Sequence, residues 1–224
     1  MNIENLLSRA GKVVTTADRK EIVFAGKDFF GSEAAENGYF DLLKQLHLDV
    51  WPELSGQFSF TMPVVDHCYL LVKNPGGAVT RMHQDRPYWI RKEAEASIFS
   101  VWIALDEISE ANGGLILSRQ NEVSPDQLST FNSGSMFEHE EVADSSGSFP
   151  LLIPEQVASE LAKSMESIGM EKGEAIAFDS FEPHKSSANT TDAPRLAMKI
   201  AYAEGQGMTP THYLTRVDEL EQKF

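Results

Sequence analysis

Between Ser97 and Leu105 the chain alternates with the two-residue period of an extended strand. Phe99, Val101, Ile103 and Leu105 fall on one face, and Ser100, Trp102 and Ala104 on the other. The second face sets one large ring between two small side chains, which leaves space around the indole. A close-packed core fills such space, so the pattern points to a ligand cavity inside a barrel. Trp102 packed against a neighbouring loop would give the same pattern. Three further apolar segments read as strands. Val64 to Val72 is closed by the turn residues Asn74-Pro75-Gly76-Gly77, Ala175 to Phe178 follows Lys172-Gly173, and Leu196 to Tyr202 follows Ala193-Pro194. Short strands separated by turn signals favour a mainly β jelly-roll sandwich or barrel over alternating β/α units.

Two helices flank these strands. Leu42, Leu43, Leu46 and Leu48 predict a helix ending near Trp51-Pro52, and Val157, Leu161 and Met165 predict another from Pro154 to about Ser167. With 224 residues, no internal repeat and no convincing linker, the chain reads as one domain (1–224) with its core over about 64–203. Asp144-Ser145-Ser146-Gly147-Ser148 reads as a loop.

Composition narrows the function classes. A formal charge of −15 repels phosphate backbones and anionic headgroups, so neither nucleic acid nor membrane is an expected partner, and oligomeric state is left open. Cys68 is the only cysteine, which excludes an internal disulfide, and its apolar surroundings suit a core residue. The N-terminus lacks the basic and apolar regions of a leader, and no apolar run reaches membrane-spanning length, so a cytoplasmic location is expected.

His83-Gln84-Asp85 places an imidazole and a carboxylate two residues apart, on one side of an extended segment. The best third ligand is His184, beyond the strand at 175–178 and the turn Asp179-Ser180-Phe181-Glu182-Pro183. Two imidazoles and one carboxylate can occupy one face of an octahedron and leave three positions for a chelating co-substrate and O₂, as in non-haem Fe(II) oxygenases. A His-x-Asp triplet alone is weak. Arg195, eleven positions beyond His184 at the start of a strand, adds a guanidinium suited to bidentate capture of a carboxylate.

With these residues in order, the chain resembles the phytanoyl-CoA dioxygenase family of Fe(II)/2-oxoglutarate oxygenases. The matching pieces are His83-Gln84-Asp85, Trp102-Ile103-Ala104-Leu105-Asp106 leading to Asn112-Gly113-Gly114-Leu115, and Gly173-Glu174-Ala175-Ile176-Ala177-Phe178 running to His184-x-Ser186, Asn189 and Arg195. The resemblance implies a double-stranded β-helix, the jelly-roll barrel also found in cupins. It implies iron held by His83, Asp85 and His184, and 2-oxoglutarate gripped by Arg195 with help from Ser186. Trp102 would line the same pocket and Tyr69 would contribute to it. The implied reaction uses O₂ and 2-oxoglutarate, releases succinate and CO₂, and hydroxylates an unactivated C–H bond of a small-molecule substrate.

Where the family commonly shows Pro-Gly-Ser-His, this chain reads Arg119-Gln120-Asn121-Glu122, which leaves any shared substrate contact open. Strand alternation puts Lys199 on the face of Arg195, either near solvent at the barrel's end or as a second polar contact. An iron halogenase would need a vacancy where Asp85 stands; a binding or sensing protein on the same barrel is the alternative from another class. Arg81, Arg86 and Arg91 bracket the metal motif and could steer anions. Lys73, at a strand end, reads as exposed. His47, His67, His139 and His212 have no partners at ligand spacing, and the acids around His139 read as a solvated face.

Overall fold

The apolar runs pair as antiparallel strands in two main sheets. In the computed structural model the described residues are 21–24, 39–57, 60–88, 98–118, 136–142, 151–205 and 215–222. The larger sheet has the order β1 (Glu21–Phe24), β2 (Pro63–Lys73), β11 (Arg195–Glu204), β4 (Ile98–Ala104) and β9 (Ala175–Asp179), with β12 (Thr215–Arg216) also pairing β2. The smaller sheet runs β3 (Thr80–His83), β10 (His184–Ser186), β5 (Leu115–Ser118) and β8 (Met165–Ser167). A separate two-stranded ribbon joins β6 (Glu140–Glu141) to β7 (Leu151–Leu152). Neighbours in both sheets are distant in sequence, the crossover pattern of a jelly roll. The Asp144–Ser148 loop and the 119–122 departure lie outside the described residues.

The two faces of the large sheet do different work. Leu196, Met198, Ile200 and Tyr202 of β11 join Cys68, Leu70 and Val72 of β2 and Val101 and Ile103 of β4 in the main hydrophobic core. Helix α1 (Tyr39–Gln57) closes that core with Leu42, Leu43 and Leu54. Trp102, Ala104 and Ala197 point the other way, into the barrel, where they meet Leu115 and Leu117 of β5 and Phe178 of β9. The alternation anticipated for 97–105 is therefore present, and β4 is buried on both faces. Among the described residues, no helix is long and apolar enough to cross a membrane.

Both helix boundaries depart from expectation. Helix α1 continues through Pro52 to Gln57. A proline there removes a hydrogen bond to the carbonyl of Leu48, but Leu48 is exposed and water can serve that carbonyl, while burial of Leu54 holds the last turn to the core. Helix α2 (Glu155–Leu161) stops early and passes through a 3₁₀ turn, Ala162–Ser164, into β8. Met165 pairs with Ser118 on β5 instead of completing the helical stripe; a free strand edge outweighed local periodicity.

His47 is a satisfied core histidine. It is fully buried, with Nδ1 2.9 Å from the Tyr202 hydroxyl and Nε2 3.3 Å from Glu221 on α3 (Val217–Glu221), and Trp51 stacks on Tyr202. Tyr202→Phe removes the buried hydroxyl that meets His47 Nδ1 and should cost about 1–3 kcal/mol. Glu221→Gln, at an exposed carboxylate, should cost less than about 1 kcal/mol. Urea denaturation of the two variants, compared at equal m, checks the ordering.

Candidate metal centre and the cavity beside it

His83 ends β3 and His184 begins β10, and the two are direct register partners across the strand pair. Pairing alone sets their rings 4.3 Å apart between centroids. Asp85 lies two residues past His83, while the intervening Gln84 turns away. Its amide nitrogen donates to the Phe181 carbonyl, and its oxygen accepts from the Phe137 N–H at 2.9 Å. Gln84 thus ties the His-x-Asp segment to the loop that delivers His184. The donor atoms of His83, Asp85 and His184 lie within 4.8 Å of one another, and all three residues are buried. Asp85 Oδ1 faces both Nε2 atoms, at 4.0 Å from His83 and 3.8 Å from His184.

The tautomers follow from the hydrogen bonds. Nδ1 of His83 lies 2.8 Å from the Arg81 carbonyl and Nδ1 of His184 lies 3.0 Å from the Glu182 carbonyl. A carbonyl only accepts, so each Nδ1 carries the proton and each Nε2 presents a lone pair toward Asp85. Burial, with His184 close by, lowers His83 from 6.5 to about 3. Burial lowers His184 as well. For Asp85, burial pushes the carboxyl up, but Lys199 and the two histidines together outweigh it and hold the group well below the carboxylate range. The histidines can add to that effect only when protonated, so at neutral pH Lys199 is the operative partner. Two neutral imidazoles and a carboxylate, oriented and dry, suit a divalent cation of the iron type.

The same cavity is lined by Trp102, Leu115, Ser186, Arg195 and Lys199. Arg195 is buried at the start of β11, its Nη2 donating to the Gly113 carbonyl at 3.1 Å and its Cζ 5.4 Å from the Trp102 ring. Arg195, Ser186 and Trp102 are thus brought together with the three metal-type ligands. Tyr69 sits beside Lys199 in the β2–β11 register but is not among the residues that line the cavity.

Lys73 is not exposed; it is completely buried. Its Nζ donates to Ser186 Oγ at 2.7 Å and to the Ser187 carbonyl at 2.8 Å. Two glycines make room for its stem. A Cβ on Gly77 would lie 2.7 Å from Lys73 Cγ, and one on Gly113, where φ is +97°, would lie 2.5 Å from Cδ. The strand-end position of Lys73 carried no signal of this, whereas Asn112-Gly113-Gly114 was visible as a motif without its purpose. Asn189, also buried, bonds the Lys73 carbonyl through Nδ2 at 2.8 Å and pairs its backbone with Gly76 and Gly77. Of the three arginines, Arg81 is exposed and Arg86 is buried over the Phe181 ring at 4.2 Å, and Arg91 lies outside the described residues. Among the described residues, no other group of histidines, cysteines and acids has metal-ligand spacing, and His139 bonds its own loop at the Phe137 carbonyl.

The profile of the phytanoyl-CoA dioxygenase (PhyH) family matches residues 3–197. The chain belongs to this family. No curated protein sequence gave a match. Among solved structures, EvdO2 from Micromonospora carbonacea var. aurantiaca is similar at 18% identity and TM-score 0.59, with 81% of this chain and 66% of that one covered. EctD from S. alaskensis, solved with 2-oxoglutarate and 5-hydroxyectoine, gives 19% identity and TM-score 0.59 over 91% of this chain and 66% of that one. The carbocyclase SnoK from nogalamycin biosynthesis gives 15% and 0.59 over 96% and 84%. These likenesses establish the shared jelly-roll fold of the family, and the chain spans 66% of the length of EvdO2 and EctD.

The depressed His83 value carries a pH dependence. A histidine whose folded value is about 3 against an ordinary 6.5 binds fewer protons folded than unfolded between those limits, so its contribution to stability is lost as pH falls from about 6.5 toward 3. Asp179, raised by burial to about 6, acts oppositely over part of that window, and the comparison must isolate the histidine. The stability of metal-free wild type minus that of His83→Gln should therefore fall with decreasing pH, at up to about 1.4 kcal/mol per unit. Denaturant titrations at pH 7, 6, 5 and 4 check the slope and its sign.

Proposed function

We propose that this chain is an Fe(II)- and 2-oxoglutarate-dependent hydroxylase acting on an unactivated C–H bond of a small molecule, with O₂ as oxidant and succinate and CO₂ as products. The observation that carries the reading is the buried His83–Asp85–His184 set, whose two histidines line one cavity with Arg195. Family membership supports it, as does EvdO2, which has also been solved with 2-oxoglutarate.

Iron, when bound, would supply the chelation of 2-oxoglutarate and the activation of O₂. The chain's own residues do the rest. His83, Asp85 and His184 hold the ion, their imidazoles kept in the ligating tautomer by the Arg81 and Glu182 carbonyls. Arg195, steadied by Gly113 and Trp102, pairs with the distal carboxylate of 2-oxoglutarate. Because Lys73 can only donate, Ser186 Oγ accepts from it, leaving the serine's own hydrogen to donate to the same carboxylate. Leu115 and Phe178 exclude water from the cavity wall.

Anaerobic titration should show Fe(II) bound by wild type and lost in His83→Ala or His184→Ala. Succinate release without added substrate, in the presence of iron, ascorbate and O₂, separates an enzyme from a binding protein on the same barrel; its absence in iron-loaded protein would favour the latter. Arg195→Ala strands a carboxylate without its charged partner, which costs several kcal/mol, so the 2-oxoglutarate KM should rise roughly a hundredfold. Arg195→Lys should recover part of that loss. An unchanged KM would place the co-substrate elsewhere.

A further inference from the structure

Lys199 lies on the inner face of β11, four residues beyond Arg195, with Trp102 of β4 and Tyr69 of β2 as its register partners. Its side chain is only 8% exposed, and it lines the same cavity as His83 and His184. Nζ lies 2.6 Å from Asp85 Oδ2, and Ser100 Oγ donates to the same oxygen at 2.6 Å. Ammonium and hydroxyl donors thus both occupy Oδ2. Oδ1 is the oxygen left facing the two Nε2 atoms.

We propose that Lys199, with Ser100, is a positioning residue that makes Asp85 a one-oxygen ligand and so preserves the coordination position that O₂ needs. The proposal rests on the iron and 2-oxoglutarate reading above. Its logic is a count of positions on a six-coordinate ion. Two imidazoles and one carboxylate oxygen leave three, of which 2-oxoglutarate takes two. Were Oδ2 also to bind, the last would close.

The arrangement also answers why a lysine is buried against a metal site, where a cation repels the incoming dication. Asp85 without Lys199 would be a buried charge whose Oδ2 keeps only the Ser100 hydroxyl, and so freer to chelate. Lys199 trades part of the carboxylate's attraction for a fixed orientation, set before any metal arrives. Ser100 explains the small residue beside Trp102 on β4: it supplies the second donor to Oδ2 from the strand next to β11.

The test uses nitric oxide as an anaerobic stand-in for O₂, with the full chain loaded with Fe(II) and 2-oxoglutarate. Wild type should bind nitric oxide and give the high-spin iron–nitrosyl resonance. In Lys199→Met, Fe(II) should still bind and the 2-oxoglutarate charge-transfer band should still form, but nitric oxide affinity should fall at least about tenfold, the scale of one lost orienting hydrogen bond. Lys199→Arg, which keeps a donor to Oδ2, should recover most of it. A merely structural lysine would alter stability and leave the ratio of nitric oxide to 2-oxoglutarate affinity alone; an unchanged ratio in Lys199→Met overturns the proposal. If that variant does not fold, Ser100→Ala, which removes one donor and no charge, decides on the same ratio. Wild type that binds neither Fe(II) nor 2-oxoglutarate would instead sink the underlying reading, an outcome read before any variant is compared.

Discussion

Charge buried inside a β-barrel is the constraint around which the structure is arranged. Lys73, Asp85, Arg195 and Lys199 are each withdrawn from water, and such burial is tolerated only where geometry supplies partners. Each partner comes from a different strand or turn: Ser186 for Lys73, Ser100 and Lys199 for Asp85, the Gly113 carbonyl for Arg195. The small sheet, the Asn112-Gly113-Gly114 turn and β11 are therefore held in mutual register by polar contacts as well as by the hydrophobic layers. The main core, between the large sheet and α1, lies on the far side of the same strands. Packing there fixes the strands without competing for the space the site requires.

Much of this was legible in the sequence because strands write their two faces as an alternation. Alternation puts Trp102 between small residues and Lys199 on the face of Arg195, without deciding which face meets the cavity, and spacing and residue type single out His83, Asp85 and His184. What could not be read was register and room. That His83 and His184 are cross-strand partners depends on how β3 meets β10, a long-range choice with no local signature. The burial of Lys73 depends on glycines at 77 and 113, one near it in sequence and one far away. Helix α1 running through Pro52 and β8 replacing the end of a helix are cases where tertiary packing overrode local propensity.

The family and its solved relatives fix the scaffold more firmly than the outcome. Chains with equal TM-scores include one described as a carbocyclase, so similar jelly rolls serve different transformations. What distinguishes them must lie in how a substrate is presented to the metal-type site. In this chain the wall on the Trp102 side is made of strand residues, rigid and short of freedom to adapt.

The tunnel that houses Lys73 has a consequence for how this chain can change over generations. Residues 73, 77 and 113 form an epistatic unit. A side chain at 77 or 113 collides with the lysine stem, so neither glycine could be relaxed before the lysine is shortened, and even then the Asn74 carbonyl, 2.9 Å from a Cβ at 77, and the positive φ at 113 would still resist. Shortening the lysine first removes the cation behind Ser186. Every single-step path away from the present trio thus passes through an impaired intermediate, and the three positions should drift together or not at all.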